Sequence, residues 1–188
     1  VITIDDSPNS GNSVAERLGR RGIQIRDYGG PAGLKTISSP TGYAEHILVM
    51  VEDLPLNSPQ NGVFDLSILP ADLFSHGEFY DGQGSSLYGS NAVGGTLNLM
   101  LDRQKSNLRM RSGSLGERGL SGQIHKDLSL LRTFIYANSY DSRGDYRENN
   151  YFSQRAAAFR ASLPLTSRWT VRSFARKSYV DRGIAGSL

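Results

Sequence analysis

The stretch "GSSLYGSNAVGGTLNLM", residues 84–100, carries the strongest signal of fold class in this chain. Four glycines fall within its first 12 positions, and glycine permits positive φ angles and close approach between backbone segments. The closing "TLNLM" alternates polar and apolar residues, which is typical of a β-strand. The stretch therefore predicts a chain that turns sharply against other backbone and then at once forms a strand.

The composition of the 188 residues favours turns and strands over long helices, because it includes 21 Gly and 7 Pro. The absence of cysteine excludes disulfides, zinc ribbons and thiol chemistry. A net charge of +3 with no run of five like charges argues against nucleic-acid binding. The longest apolar run, residues 47–51, is too short for a membrane-spanning helix, and the opening "VITIDDSPNS" lacks the features of a signal peptide.

Residues 1–101 mix short strand and helix signals, which predicts an α+β unit. "SVAERLGRRG" is typical of a helix, with Ser13 as N-cap, Glu16 completing a capping box and Gly22 as the C-terminal stop. "EHILVMVEDLPLN" contains the clearest buried strand, which Pro55 ends.

Residues 102–188 carry strand signals with no helix signal between them, so no long helix is expected after Ser106. Apolar residues alternate with polar or basic ones in "LRMR", "LSGQIHKD", "AAFRASL" and "RWTVR". This period of two predicts an antiparallel meander of about five strands with one apolar face.

Two explanations fit this alternation. A soluble antiparallel sheet would turn its apolar face to a core, whereas a membrane barrel would turn it to lipid. Strand-like spans near the ~10 residues of a tilted membrane strand, and aromatic residues near strand ends, favour the barrel. Periodicity by itself leaves both explanations open.

The wider stretch "GEFYDGQGSSLYGSNAVGGTLNLM" resembles the end of the plug domain of TonB-dependent outer-membrane receptors. The matching positions that we expect to be structural are Glu78, Gly82, Tyr88, Gly89, Gly94, Gly95 and Asn98. "HILVMVEDLPLN" is similar to the family's "VLVLLDGVPLN", "FDLSILP" to its "DLSxIP" and "SVAERLGRRGIQI" to its "SVxDLLxxxPGV". The vitamin B12 transporter branch is the most similar one.

This resemblance implies a plug domain over residues 1–101 and, over residues 102–188, about five N-terminal strands of an incomplete transmembrane β-barrel. It implies that the glycines serve packing and that Tyr88 fills a gap in the core while its hydroxyl finds a partner. The implied function is active uptake of a scarce nutrient, such as a ferric siderophore or cobalamin, across the outer membrane. The implied partners are outer-membrane lipid, a small nutrient ligand and the TonB-ExbB-ExbD complex, with no catalytic residue and no cofactor.

The sequence also departs from the family pattern. "VED" stands where the family has Leu-Asp-Gly, Asp81 replaces the usual Arg, and Gln83 replaces Pro. The TonB box that should precede the plug is missing, so the simplest expectation is a fragment of a receptor.

Two sets of residues are candidates for ligand or metal contact. In the family, loops at the outer apex of the plug touch the substrate, and the matching stretches here contain Tyr28, Asn57, Gln60 and Asn61. The stretch "DSRGDYRENN" offers calcium ligands in Asp141, Asp145 and Glu148, but its two arginines, Arg143 and Arg147, favour a solvated loop. Nothing in the sequence names the substrate.

Two further classes of protein are the alternatives. A soluble α+β binding protein would pack the antiparallel sheet on its own core and be monomeric without detergent. A hydrolase using Ser85 would need a nearby histidine, and none of the three histidines lies at a suitable spacing.

Overall fold

A computed structural model describes residues 2–3, 13–29, 33–39, 43–82, 84–101, 105–144 and 149–183. The chain divides into two units, Val1–Asp102 and Arg103–Leu188. Each unit is described by itself below.

The first unit opens with strand β1 (Ile2–Thr3) and helix α1 (Val14–Arg20). The predicted N-cap is confirmed, because the Ser13 hydroxyl accepts a hydrogen bond of 3.3 Å from the Glu16 amide. The helix ends before Gly22, which has a φ of +86° and lets the chain reverse. Val14 and Leu18 are buried and attach the helix to the core.

A five-stranded sheet forms the centre of the first unit, in the order β1-β6-β7-β4-β5. Its further strands are β4 (Ile47–Val51), β5 (Leu54–Pro55), β6 (His76–Asp81) and β7 (Gly95–Met100). β4 and β7 pair in parallel, whereas the other pairs are antiparallel. Every residue of β4 is buried, as is usual for a parallel strand covered on both faces. A separate hairpin joins β2 (Ile25–Asp27) to β3 (Lys35–Ile37).

Short 3₁₀ helices fill the connection between β5 and β6, at Leu66–Ile68 and Ala71–Leu73. Leu66, Ala71 and Leu73 of these helices belong to the core. Helix α1 lies against this connection through a hydrogen bond of 3.1 Å from the Val14 amide to the Leu69 carbonyl. Arg17 and Asp72 form a buried ion pair of 3.0 Å between the same two segments. Breaking such a pair costs about 3–5 kcal/mol, because one charge is left uncompensated.

The second unit is an antiparallel meander of five strands in the order β12-β11-β10-β9-β8. They are β8 (Asn107–Ser112), β9 (Arg118–Leu128), β10 (Leu131–Ser142), β11 (Phe152–Pro164) and β12 (Thr170–Arg182). In the described part of the chain no helix follows Ser106, which confirms the prediction of a strand-only second half.

The two faces of this sheet differ in chemistry, as the alternation predicts. Pairing places Ile124, Ile135, Phe159 and Ala175 side by side in one row. We call this side the apolar face; its large exposed residues are Leu108, Met110, Leu120, Ile124, Leu128, Ile135, Phe159, Val171 and Tyr179. The opposite side, the polar face, carries Ser121, Gln123, Asn138, Gln154, Arg160 and Arg176, with Phe134, Tyr136 and Tyr140 among them.

The connections between the five strands differ between the two ends of the sheet. Residues 129–130 and 165–169 join strands at one end, which we call the turn end. Residues 113–117 and 143–151 join them at the other, which we call the loop end. Strands β9 to β12 are 11 to 13 residues long. Within the described ranges, no helix is both long and apolar enough to cross a membrane.

Candidate functional site

The glycine-rich stretch brings three backbone segments of the first unit close together. A Cβ atom on Gly84 would lie 2.7 Å from Thr96 Cγ2, and one on Gly95 would lie 2.6 Å from the Tyr80 carbonyl oxygen. Gly95 also has a φ of +143°, which L-residues rarely adopt. Gly94 donates a hydrogen bond of 2.8 Å to the His46 carbonyl, and Gly82 one of 3.1 Å to the Gly94 carbonyl. The stretch therefore begins β7 beside β4 and β6.

The short helix α2 (Ser85–Tyr88) lies at the surface, which the sequence did not predict. Tyr88 is 43% exposed, so the expectation that it fills a gap in the core is wrong. Ala92 is completely buried and takes the inward position instead. Tyr88 lies at the surface because α2 is a single turn that has no buried residue. The turn ends at Gly89, which has a φ of +85°.

The two-residue turn between β4 and β5 explains the departure "VED". Glu52 and Asp53 have φ angles of +51° and +67°, which glycine usually supplies in such a hairpin. The Asn98 amide donates 2.5 Å to Asp53 Oδ1, and Asn98 Oδ1 accepts 3.2 Å from the Asp53 amide. The Glu52 carboxylate accepts 2.8 Å from the Leu101 amide. Side-chain hydrogen bonds thus hold a turn that has no glycine.

Two other motif positions lie in β6. Glu78 pairs with Asn98 of β7 and is half-buried. Asp81, which stands where the family pattern has Arg, accepts a hydrogen bond of 2.6 Å from the Ser39 hydroxyl. This replacement therefore ties the end of β6 to the segment after β3.

The predicted ligand-contact residues occupy two loops. Tyr28 follows β2 and is exposed, and Gln60 and Asn61 are exposed in the loop after β5. Asn57 differs, because its amide accepts 2.7 Å from the Val49 amide and donates 2.9 Å and 2.6 Å to the carbonyls of Ile47 and Gly62. Asn57 therefore connects its loop to β4 by hydrogen bonds. Contact of Tyr28, Asn57, Gln60 or Asn61 with a ligand stays a prediction.

The suggested calcium ligands lie at the loop end of the second unit. The Asp141 carboxylate accepts 2.6 Å from the Ser153 hydroxyl, whereas Asp145 and Glu148 lie outside the described residues. Among the residues that are described, no three His, Cys, Asp or Glu side chains are grouped to hold a metal. The calcium site stays a prediction.

A cavity of about 370 Å³ lies at the same loop end, and the sequence analysis missed it. Its lining includes Arg118, Asp141, Ser142, Arg143 and Tyr151. The Tyr151 hydroxyl donates 3.2 Å to Asp181, and this hydrogen bond raises the pKa of Tyr151 above its ordinary value. The sequence signal for this cavity is Arg143, which lies next to the acidic residues suggested as calcium ligands.

Comparison with known proteins identifies the class. The fold is an α+β unit followed by antiparallel strands with one apolar and one polar face, and residues 4–96 match the family model of the TonB-dependent Receptor Plug Domain. The family model thus identifies the first unit as a plug domain of the TonB-dependent receptors.

Solved structures of siderophore receptors have the same fold at low sequence identity. The siderophore receptor PirA from Acinetobacter baumannii is 18% identical with a TM-score of 0.72, covering 94% of this chain and 31% of that one. The ferric enterobactin receptor PfeA from Pseudomonas aeruginosa, in complex with enterobactin, is 18% identical with a TM-score of 0.70. This match covers 94% of this chain and 32% of that one. The pyoverdine receptor FpvA from Pseudomonas aeruginosa is 14% identical with a TM-score of 0.66, and the match covers 89% of this chain and 25% of that one. The chain thus spans a third or less of the length of these receptors, and the predicted fold class is confirmed.

Proposed function

We propose that this chain supplies the plug and the first wall strands of an outer-membrane receptor for the uptake of a ferric siderophore. The observation that carries the proposal is the succession, in one chain, of a TonB-dependent receptor plug and a meander with an apolar and a polar face. A plug of this family implies the energy-transducing partner, which is TonB with ExbB and ExbD.

The chemistry of the second unit supports a place in the outer membrane. A strand that crosses lipid at a tilt needs about 9–11 residues, and β9 to β12 are 11 to 13 residues long. The apolar face exposes Ile124, Ile135 and Phe159 in one row, which suits contact with acyl chains. The polar face suits a lumen that contains water.

The structural relatives support our choice of substrate class. Siderophore receptors share the fold over 89% to 95% of this chain, so we choose a ferric siderophore over cobalamin. Tyr28, Gln60 and Asn61 are the exposed residues that we assign to substrate contact.

The proposed role is transport without catalysis. Ser85, which a hydrolase would need as nucleophile, lies in the exposed helix α2. Within the described part of the chain its hydroxyl has no histidine partner. A catalytic serine requires a base within hydrogen-bond reach.

Uptake by cells tests this function. The protein that contains this chain is expressed in an outer-membrane receptor-deficient strain, and accumulation of ⁵⁵Fe is measured with a panel of siderophores. We expect accumulation with at least one siderophore, and we expect it to vanish when TonB is deleted. Accumulation of labelled cobalamin alone, or uptake that continues without TonB, would contradict the proposal.

A further inference from the structure

The loop after β5, residues 57–63, is attached to β4 by the side chain of Asn57. The Asn57 carboxamide accepts a hydrogen bond of 2.7 Å from the Val49 amide and donates one of 2.9 Å to the Ile47 carbonyl. The Val49 carbonyl accepts 2.9 Å from the Leu56 amide, so these groups lie on the edge of β4 that faces β5. The Asn57 carboxamide therefore takes the place of the next peptide group of β5, and the main chain is free to leave the sheet.

The same carboxamide also holds the far end of the loop. It donates a hydrogen bond of 2.6 Å to the Gly62 carbonyl. Both N–H groups of Asn57 and its oxygen are thus bonded to the protein. Each of these bonds removes conformations that the loop would otherwise sample.

Hydrogen bonds within the loop fix its path between these attachments. The Ser58 amide donates 3.2 Å to the Val63 carbonyl, and the Gly62 amide donates 2.9 Å to the Ser58 carbonyl. At the tip, the Ser58 hydroxyl accepts 3.3 Å from the Gln60 amide, and Asn61 Oδ1 accepts 3.1 Å from the Val63 amide. Gln60 and Asn61 are exposed, yet the backbone around them is hydrogen-bonded.

Gly62 packs the loop against a neighbouring segment. Its φ is +69°, which an L-residue rarely adopts, and a Cβ atom on it would lie 3.2 Å from the Glu45 carbonyl oxygen. Glu45 belongs to the 3₁₀ helix Ala44–His46, which directly precedes β4. The loop is therefore bonded to β4 through Asn57 and packed beside the start of β4 through Gly62.

We propose that Asn57 is a positioning residue for substrate recognition, which fixes loop 57–63 in the conformation that presents Gln60 and Asn61 to the substrate. This inference rests on the function proposed above, in which Gln60 and Asn61 contact a ferric siderophore. Asn57 acts through the loop and not by touching the substrate. A loop that is already ordered loses little conformational freedom on binding, so its order contributes to affinity.

A binding measurement on the protein that contains this chain tests the role of Asn57. The protein is purified in detergent, and the apparent Kd is measured for the ⁵⁵Fe complexes of enterobactin and of pyoverdine. Asn57→Ala removes the hydrogen bonds to Val49, Ile47 and Gly62. If the loop then holds the competent conformation for about a tenth of the time, the apparent Kd rises about tenfold. The matched control Asn107→Ala removes the same atoms from an exposed position in β8 and should leave the Kd unchanged.

Hydrogen exchange separates positioning from direct contact. The backbone amides of residues 58–63 should exchange faster in the Asn57→Ala variant, because a loosened loop opens more often. Gln60→Ala should raise the Kd without changing this exchange, because the loop is held by the backbone amide of Gln60 and not by its side chain. Unchanged exchange in the Asn57→Ala variant would overturn the proposal, as would an equal rise of the Kd in Asn107→Ala.

Two further variants keep the test decisive if Asn57→Ala lowers the yield of folded protein. Asn57→Asp retains an acceptor for the amide of Val49, which is buried, but it loses both donors. Gly62→Ala leaves Asn57 in place and strains the loop against Glu45. Both variants should raise the Kd and accelerate exchange in residues 58–63. No change of these two quantities in either variant would refute the positioning role.

Uptake kinetics distinguish a positioning residue from one that only stabilises the fold. A smaller amount of folded receptor lowers the maximal rate of TonB-dependent ⁵⁵Fe uptake, whereas lost positioning raises the KM at an unchanged maximal rate. We expect a raised KM for Asn57→Asp, and a lower maximal rate at an unchanged KM would overturn the proposal. If the unaltered protein takes up neither complex while Asn57→Ala accelerates exchange, the siderophore function is refuted and the ordering of the loop by Asn57 stands.

Discussion

At the residue scale, side-chain hydrogen bonds stabilise the turn at Glu52 and Asp53, where the backbone has positive φ angles and no glycine. Asn98 satisfies both the amide and the carboxylate of Asp53, and Asn98 is itself 5% exposed. A buried amide that loses its partners costs far more than an exposed one, because water cannot replace them. The motif position Asn98 therefore acts on the turn of a neighbouring hairpin and not only on its own strand.

Substitution Asn98→Ala should lower the free energy of unfolding of the first unit by about 1–3 kcal/mol, because it removes two hydrogen bonds to Asp53 that contribute about 0.5–1.5 kcal/mol each. Chemical denaturation, followed by circular dichroism in detergent, measures the effect. The matched control Asn61→Ala removes the same side-chain atoms from an exposed loop and should change stability by less than about 0.5 kcal/mol. Equal effects of the two substitutions would contradict the role assigned to Asn98.

Tyr151 should titrate later than an ordinary tyrosine. Its hydrogen bond to Asp181 and the nearby carboxylate charge raise its pKa, so the bond stabilises the fold below the ordinary pKa of tyrosine. This contribution is lost as the pH rises through the raised pKa. Alkaline titration of tyrosinate absorbance should show a late component that Tyr151→Phe removes and Asp181→Asn shifts to lower pH. An unshifted component in the Asp181→Asn variant would exclude this explanation.

At the scale of elements, the register of the second unit converts a period of two into two continuous surfaces. Ile135 in β10 lies between Ile124 in β9 and Phe159 in β11, whereas Tyr136 lies between Gln123 and Ala158. A shift of one residue would exchange the two faces. The pairing therefore decides which residues form the apolar face and which form the polar face.

Substitution Ile135→Arg should destabilise the protein in lipid by about 2–4 kcal/mol, because the charge would enter the hydrocarbon region. Thr133→Arg, on the same face of the same strand but nearer the turn end, should cost only about 0–1 kcal/mol. Urea unfolding in liposomes measures both variants. If both are neutral, the apolar face does not meet lipid and the soluble alternative gains support.

At the scale of the whole molecule, the meander exposes both its apolar face and its outer strands. β8 and β12 each have one edge that no described strand covers. An uncovered edge beside an exposed apolar surface promotes association between chains. Closure of a barrel needs at least about eight strands, and the described residues supply five to this sheet.

The isolated 188-residue chain should therefore be insoluble or oligomeric without detergent, and it should conduct no ions. Size-exclusion chromatography with light scattering in plain buffer, and conductance across a planar bilayer, measure the two properties. A sharp monomer peak in plain buffer would support the soluble α+β alternative. Discrete channel openings would mean that several copies assemble a closed barrel.

The sequence by itself determined helix α1, strand β4, the two surfaces of the meander and the plug family. The sequence predicts helix α1 from Ser13, Glu16 and Gly22, and it predicts β4 from its apolar run. Both predictions are possible because caps and periodicity depend on residues a few positions apart. Only the tertiary structure decided that β4 pairs in parallel with β7, that Tyr88 lies at the surface, and that Asn98 and Asp53 bind each other. It also decided that Arg118 and Arg143 line one cavity with Ser142. These contacts join residues that are distant in the chain. They form because of the free energy of packing and of strand register, which no local sequence pattern encodes.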